Sequence, residues 1–361
     1  MEEKRRIGYI DALRGFTIIL VVMQHVISMY YRPDELSPIY LSLQQIRMPL
    51  FFFVSGLVFY KAGRQWHLKE TTAFFRKKIP VQLLSPAIFM FIYFAFVGID
   101  FSFGIMHKSK CGYWFTYTLL EFFFFYVTMV AACNKMHIKG LYKTTVIILS
   151  GVAVCYISTR STSINRIFGW EIAGLLGVEK WSYYIFFLLG ALAKRHFSHF
   201  ERNSKRKWVL AVCAALFTAI NIEKAAIMEI TGYHTVQFIC GLLGIIIMFS
   251  IFNQLEKAVF SATCTTGRTL QFIGKRTLEV YLIHFFFVYS NIGVILLKQP
   301  HFEYTALNLL YILLVTSTVV AATLAIGGLL RINPTIGHLL FGANKANLAY
   351  SKLPIANKNE E

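Results

Sequence analysis

The chain has 361 residues, of which 56% are hydrophobic and only 15% charged, with a formal net charge of +18. Ordinary soluble domains carry a lower apolar share, so a soluble enzyme or scaffold is excluded and a polytopic membrane protein is indicated. The Lys and Arg residues fall in short clusters between apolar runs rather than along one face. That pattern argues against nucleic acid as a partner and for a charge that encodes membrane topology.

The first apolar run follows a charged start that ends at Arg6, and residues 9–25 read YIDALRGFTIILVVMQH. The run is longer than the core of a secretory signal, carries Arg14 and shows no small-residue cleavage site before Tyr30, so it reads as a retained span over 8–30. Helical geometry puts Arg14 and His25 on one face, about three turns or roughly 16 Å apart. Ionisable groups in a bilayer are costly and must face protein or water, which makes both residues site candidates. The plainer alternative is that Arg14 pairs with Asp11 one turn earlier and anchors the helix, while His25 is a satisfied interior histidine.

Nine further apolar segments of about bilayer length follow, near 40–60, 79–97, 113–133, 144–157, 181–193, 208–222, 235–252, 277–297 and 304–330. The reading is therefore an all-α, polytopic integral membrane protein with about ten transmembrane helices, the fifth and sixth of them short. An even number puts both termini on one side. The segments on that side hold most of the 36 Lys and Arg, including Lys61 to Lys78 and Lys194 to Lys207, whereas the opposite loops hold few, such as Arg32, Lys108 and Lys298. The positive-inside rule makes the basic side, and both termini, cytoplasmic. Residues 1–340 are expected to form one membrane-embedded unit and 341–361 a short polar cytoplasmic tail. The six cysteines are scattered without metal-ligand spacing, so free thiols are expected and neither a metal nor a disulfide framework.

Counted from the outer ends of their spans, Arg47 and Glu121 lie roughly 10–12 Å deep, level with His25. In the plainer reading Arg47 and Glu121 form a structural ion pair, because burying either alone is prohibitive. Trp114 opens the fourth span and suits either an aromatic belt or a sugar-stacking face. Glu279 lies four residues after Lys275 and is expected to pair with it at the start of a helix. Tyr281 and His284 share a face, and His284 reads as a packed residue rather than a second base.

The block 9–25, with its Arg-x10-His spacing, and the sequence RMPLFFFVSG over 47–56 together resemble the opening of the acyltransferase family 3 membrane enzymes. Weaker echoes are WFTY at 114–117 and TLEVYLIH at 277–284. The resemblance is to the stand-alone, fucose 4-O-acetylase-like branch. It implies an inner (plasma) membrane O-acyltransferase that moves an acyl group, expected to be acetyl, from acetyl-CoA or another acyl-CoA to a hydroxyl of a cell-surface or lipid-linked saccharide. It also implies that Arg14 and His25 are both required, with Arg14 on the CoA donor. In this reading His25 removes a proton from the acceptor hydroxyl, Glu121 orients the imidazole, and Arg47 holds the acceptor or the developing oxyanion. The family's Arg-x-x-Arg pair ahead of a proline is absent: registered on Pro86, its positions read Ile79 and Gln82. Lys77 and Lys78 remain as donor-phosphate candidates, their plainer role being attachment to membrane lipids. The rival class is a secondary transporter with Arg14, His25, Arg47 and Glu121 along a proton or substrate path; its inverted repeats and matched broken helices are not found.

Overall fold

The computed structural model describes residues 7–30, 38–64, 66–288 and 305–342. The charged start up to Arg6, Arg32, Lys298 and the polar tail beyond Gly342 lie outside the described residues. Within them every regular element is helical. An apolar chain with no water to bond its peptide groups satisfies them within each segment, and only the helix does so locally.

The elements run α1 Gly8–Tyr30, α2 Pro38–Phe59, α3 Leu68–Ile79, a π turn Pro80–Leu84, α4 Ser85–Val97, α5 Phe101–Met106, a 3-10 turn Lys110–Gly112, α6 Trp114–Lys135 and α7 Gly140–Thr159. Then come α8 Ser161–Phe168, α9 Trp170–Leu176, a 3-10 segment Val178–Tyr183, α10 Tyr184–Arg195, α11 Phe197–Ser204, α12 Lys207–Ile222, α13 Lys224–Thr231 and α14 Tyr233–Gln254. A π turn Glu256–Phe260 leads to α15 Thr265–Lys275, α16 Thr277–Ile283, α17 Phe285–Val288, α18 Thr305–Leu330 and α19 Pro334–Phe341.

Eight helical stretches are long and apolar enough to cross a membrane, and Lys207–Ile222 and Thr277–Val288 are shorter apolar helices among the described residues. The fifth and sixth expected spans are not the short ones. They extend over Gly140–Thr159 and Gly174–Arg195, 20 and 22 residues, because helical turns continue through Lys143, Glu179 and Lys180, where hydropathy drops. The third span likewise begins earlier than expected, at Leu68.

Two close crossings hold the site helices. Gly15 of α1 and Gly274 of α15 face each other, such that a Cβ on Gly15 would strike the Leu270 carbonyl and one on Gly274 the Asp11 carbonyl. Gly56 of α2 and Gly190 of α10 meet in the same way, against the Phe187 and Phe53 carbonyls. Small residues let backbones approach where lipid gives helices little hydrophobic reason to associate. The first crossing lies beside Arg14, so it sets where that side chain emerges. Gly274→Val is accordingly expected to cost at least the ~1–3 kcal/mol typical of overpacking; a thermal unfolding midpoint equal to wild type in detergent would show that the crossing tolerates bulk.

Lys275 and Glu279 do not pair as expected. The helix breaks at Arg276, with φ −120° and ψ 22°, so the four-residue spacing does not run along one helix. Glu279, fully buried, instead takes both Nε and a terminal nitrogen of Arg331, just past the end of α18. Gly327, one turn earlier in α18, leaves the room that the carboxylate occupies.

Candidate active site

Arg14 donates to Thr277 Oγ1 at 3.3 Å and pairs with Asp11 at 3.6 Å. Farther along α1, the His25 ring lies 5.3 Å, centroid to centroid, from that of His284, and equally far from Phe285. Thr277 begins α16 and His284 follows it directly, so Arg14 and His25 address one neighbouring segment, and α1 and α16 run parallel. The Asp11 pair of the plainer reading is present. The same guanidinium also lines two cavities, of about 610 and 250 Å³.

His284 is fully buried, and its Nδ1 lies 2.9 Å from the Val280 carbonyl and 2.8 Å from that of Tyr281. Carbonyl oxygens only accept, so the ring proton is assigned to Nδ1 and Nε2 carries the lone pair. That Nε2 is buried with no hydrogen-bond partner. Sequence reasoning placed His284 as packing and did not connect it with His25. The signal was the parallel direction of the first and ninth spans, which allows contact without requiring it.

Arg47 of α2 lies within charge-interaction range of His25, His284 and Tyr183. Trp114 stacks on Tyr183, centroids 6.0 Å apart with planes at 23°, and the Lys180 ammonium sits 5.1 Å over the Trp114 ring. Arg47, Trp114, Tyr183 and Lys180 therefore form one group with two cations and two aromatic faces. Glu121 is not brought to His25, nor does it pair with Arg47. Trp181 Nε1 donates to its Oε2 at 3.1 Å, and the nearby cation is Lys110. The reason is angular: Glu121 lies about two turns beyond Trp114, so both side chains face the Val178–Tyr183 segment. A shared depth did not make a shared face.

Lys77 and Lys78 are brought together with Arg14 around the larger cavity, which Lys61, Arg64 and Glu70 also line. Gln82 lies at the seam with the smaller cavity, lining both, and its Oε1 is buried without a partner. The π turn that carries Gln82 inward leaves Ile79 43% exposed, so only one of the two registered positions enters the site. π turns often mark functional sites.

The smaller cavity extends from Arg14 to Tyr281, whose ring is 6.3 Å from that of His284. Tyr281 also fixes the neighbouring loop: its hydroxyl donates to the Gly112 carbonyl at 2.9 Å and accepts from the Phe115 amide at 3.1 Å. Tyr113 reciprocates with a bond to the Leu282 carbonyl at 3.0 Å. Just before Gly112, Lys110 and Cys111 hold φ of 44° and 48°, a region that non-glycine residues seldom occupy. The Lys110 ammonium steadies this turn by donating to the carbonyls of Ile105, Gly174 and Leu175, and burial pushes its pKa down to about 8.

No curated protein and no solved structure matches the chain. The family model for the acyltransferase domain matches residues 7–327, from the first described residue to the last turns of α18. The match includes every candidate residue named above except Arg331, and the helices that carry them are those of a multi-pass membrane protein. The chain thus belongs to acyltransferase family 3 and is a membrane acyltransferase.

Proposed function

We propose that the protein is an inner-membrane O-acyltransferase that moves an acyl group, acetyl in the simplest case, from acyl-CoA to a hydroxyl of a cell-surface or lipid-linked saccharide. The observation that carries this reading is the common neighbour of Arg14 and His25: one end of that segment lines the smaller cavity, which Arg14 joins to the larger one with Lys77 and Lys78, and the other holds paired imidazoles. The donor's phosphates sit among Lys77, Lys78 and Arg14, at the end that the positive-inside rule makes cytoplasmic. The pantetheine arm runs through the smaller cavity, where Gln82 Oε1 accepts from one of its amides. Its length suits the roughly 16 Å between Arg14 and His25.

In the chemical step His25 takes the hydroxyl proton as the acceptor oxygen attacks the thioester carbonyl. Arg47 balances charge on the resulting oxyanion. When that intermediate collapses, the C–S bond breaks, the ester forms, and the departing sulfur recovers the proton from the His25 imidazolium, giving free CoA. His284, its Nδ1 already committed, offers Nε2 to the imidazolium while it exists. Trp114 and Tyr183 present ring faces to the saccharide, with Lys180 at the rim. Glu121 supports this wall through Trp181, a positioning role in place of the one its depth implied.

The test is turnover by the purified protein in nanodiscs: transfer of radiolabel from acetyl-CoA to a lipid-linked saccharide acceptor, and mass analysis of surface glycans with and without the gene. No consumption of any acyl-CoA would overturn the reading. Arg14→Ala is expected to raise KM for acetyl-CoA about tenfold or more, matching ~1.5–3 kcal/mol for a charge-assisted contact, with little change in KM for the acceptor. Equal losses for both substrates would assign Arg14 to the Asp11 anchor alone.

A further inference from the structure

Beside the donor cavity lies another of about 190 Å³ that the mechanism above leaves unused, lined by Lys61, Arg64, Lys143 and Arg195 together with Trp66 and Tyr126. Its cations come from separate parts of the chain: Lys61 and Arg64 after α2, Lys143 in the first turn of α7 and Arg195 at the end of α10. None of the four has a carboxylate within ion-pair distance among the described residues. Lys143 and Arg195 are held in place by neutral groups, Lys143 donating to Asn134 Oδ1 at 2.6 Å and Arg195 to Thr144 Oγ1 at 2.8 Å. Their direction is thereby fixed and their charge left uncancelled. Cations that served only as topology markers would have no reason to converge on one cavity.

Lys61 and Arg64 also line the larger cavity, so the two compartments share a cationic wall. One ligand class matches such a pair of adjoining basic compartments: a ribose that carries a diphosphate on one carbon and a phosphate monoester on another. We infer that the smaller compartment binds the ribose 3′-phosphate of the CoA donor, with Lys143 and Arg195 distinguishing CoA from its dephospho form. The inference rests on the donor reading above. A phosphate monoester is close to dianionic near neutral pH and offers three acceptor oxygens. The Arg195 guanidinium can engage two of them in parallel while Lys143 adds a point charge. Lys61 and Arg64 then stand between the diphosphate and the monoester and serve both.

The experiment is calorimetric binding of CoA and of 3′-dephospho-CoA to the full chain in nanodiscs of zwitterionic lipid. Wild type is expected to bind CoA at least about tenfold tighter, as charge-assisted bonds to one phosphate imply. The Lys143→Ala/Arg195→Ala variant is expected to bind CoA at the dephospho level and dephospho-CoA as wild type does, and Arg195→Lys to recover part of the preference. Equal wild-type affinity for the two ligands would overturn the inference and leave the donor reading standing, whereas binding of neither would overturn both. A double variant that weakens both ligands alike would make these residues a general electrostatic wall and defeat the assignment. So would a variant that keeps the CoA preference but loses thermal stabilisation by phosphatidic acid vesicles, since the phosphate read there would be a lipid headgroup's.

Discussion

His25→Ala is expected to abolish acyl transfer while the protein remains folded. Loss of a positioned general base typically costs about 10²–10⁴-fold. His284 keeps a lone pair on Nε2, but its Nδ1 is tied to the Val280 and Tyr281 carbonyls and its ring is packed against Phe285 with centroids 3.9 Å apart, so it is not free to swing into the place that His25 leaves. Two substitutions separate the anchor of His284 from its free nitrogen. His284→Asn retains a donor close to the Nδ1 position and removes Nε2, so it should lower kcat by about tenfold or more with KM for acyl-CoA unchanged. His284→Gln places its amide nearer Nε2 and gives up the anchor, which should appear as lost thermal stability. The measurements are thiol release with a saccharide acceptor and unfolding in detergent. Wild-type turnover in His25→Ala would remove the proposed chemistry.

Glu279→Leu should be the most damaging single change to the fold. It leaves Arg331, 22% exposed, beside a fully buried position from which its counter-charge has gone. Breaking one side of a buried pair costs about 3–5 kcal/mol, whereas replacing both partners by apolar groups is often neutral. Glu279→Leu/Arg331→Leu is therefore expected to recover most of the loss, giving a large coupling in a double-mutant cycle of thermal stabilities. Additive losses would show that the two side chains do not depend on each other. Because both line the cavity that joins Arg14 to Tyr281, the single variant should also weaken acyl-CoA binding.

The helices and their apolar faces were legible because the bilayer permits few alternatives for an uncharged run of some twenty residues. α1 was read at the limits the structure gives it, Gly8–Tyr30, since polar residues bound it sharply. Boundaries failed where charged residues continue a helix, as at Lys143 and at Lys180, because hydropathy records composition and helical hydrogen bonding does not depend on it. Within the site, the common face of Arg14 and His25 followed from spacing along one helix, a purely local property. Glu121 turns to Trp181 rather than to His25 because depth along a helix axis is local too, whereas the direction its side chain takes in the bundle depends on which helix comes to lie beside it.

The sequence by itself determined a helical membrane protein and the shared stripe of Arg14 and His25, since each follows from composition or from the helical repeat. Tertiary structure alone decided that α16 covers that stripe and delivers His284 to His25. It also decided that Glu279 answers Arg331 and that Lys61, Arg64, Lys143 and Arg195 converge on one cavity. Those contacts join residues far apart in the chain, and their partners are chosen by close glycine crossings and aromatic packing, which no periodicity in a single segment encodes.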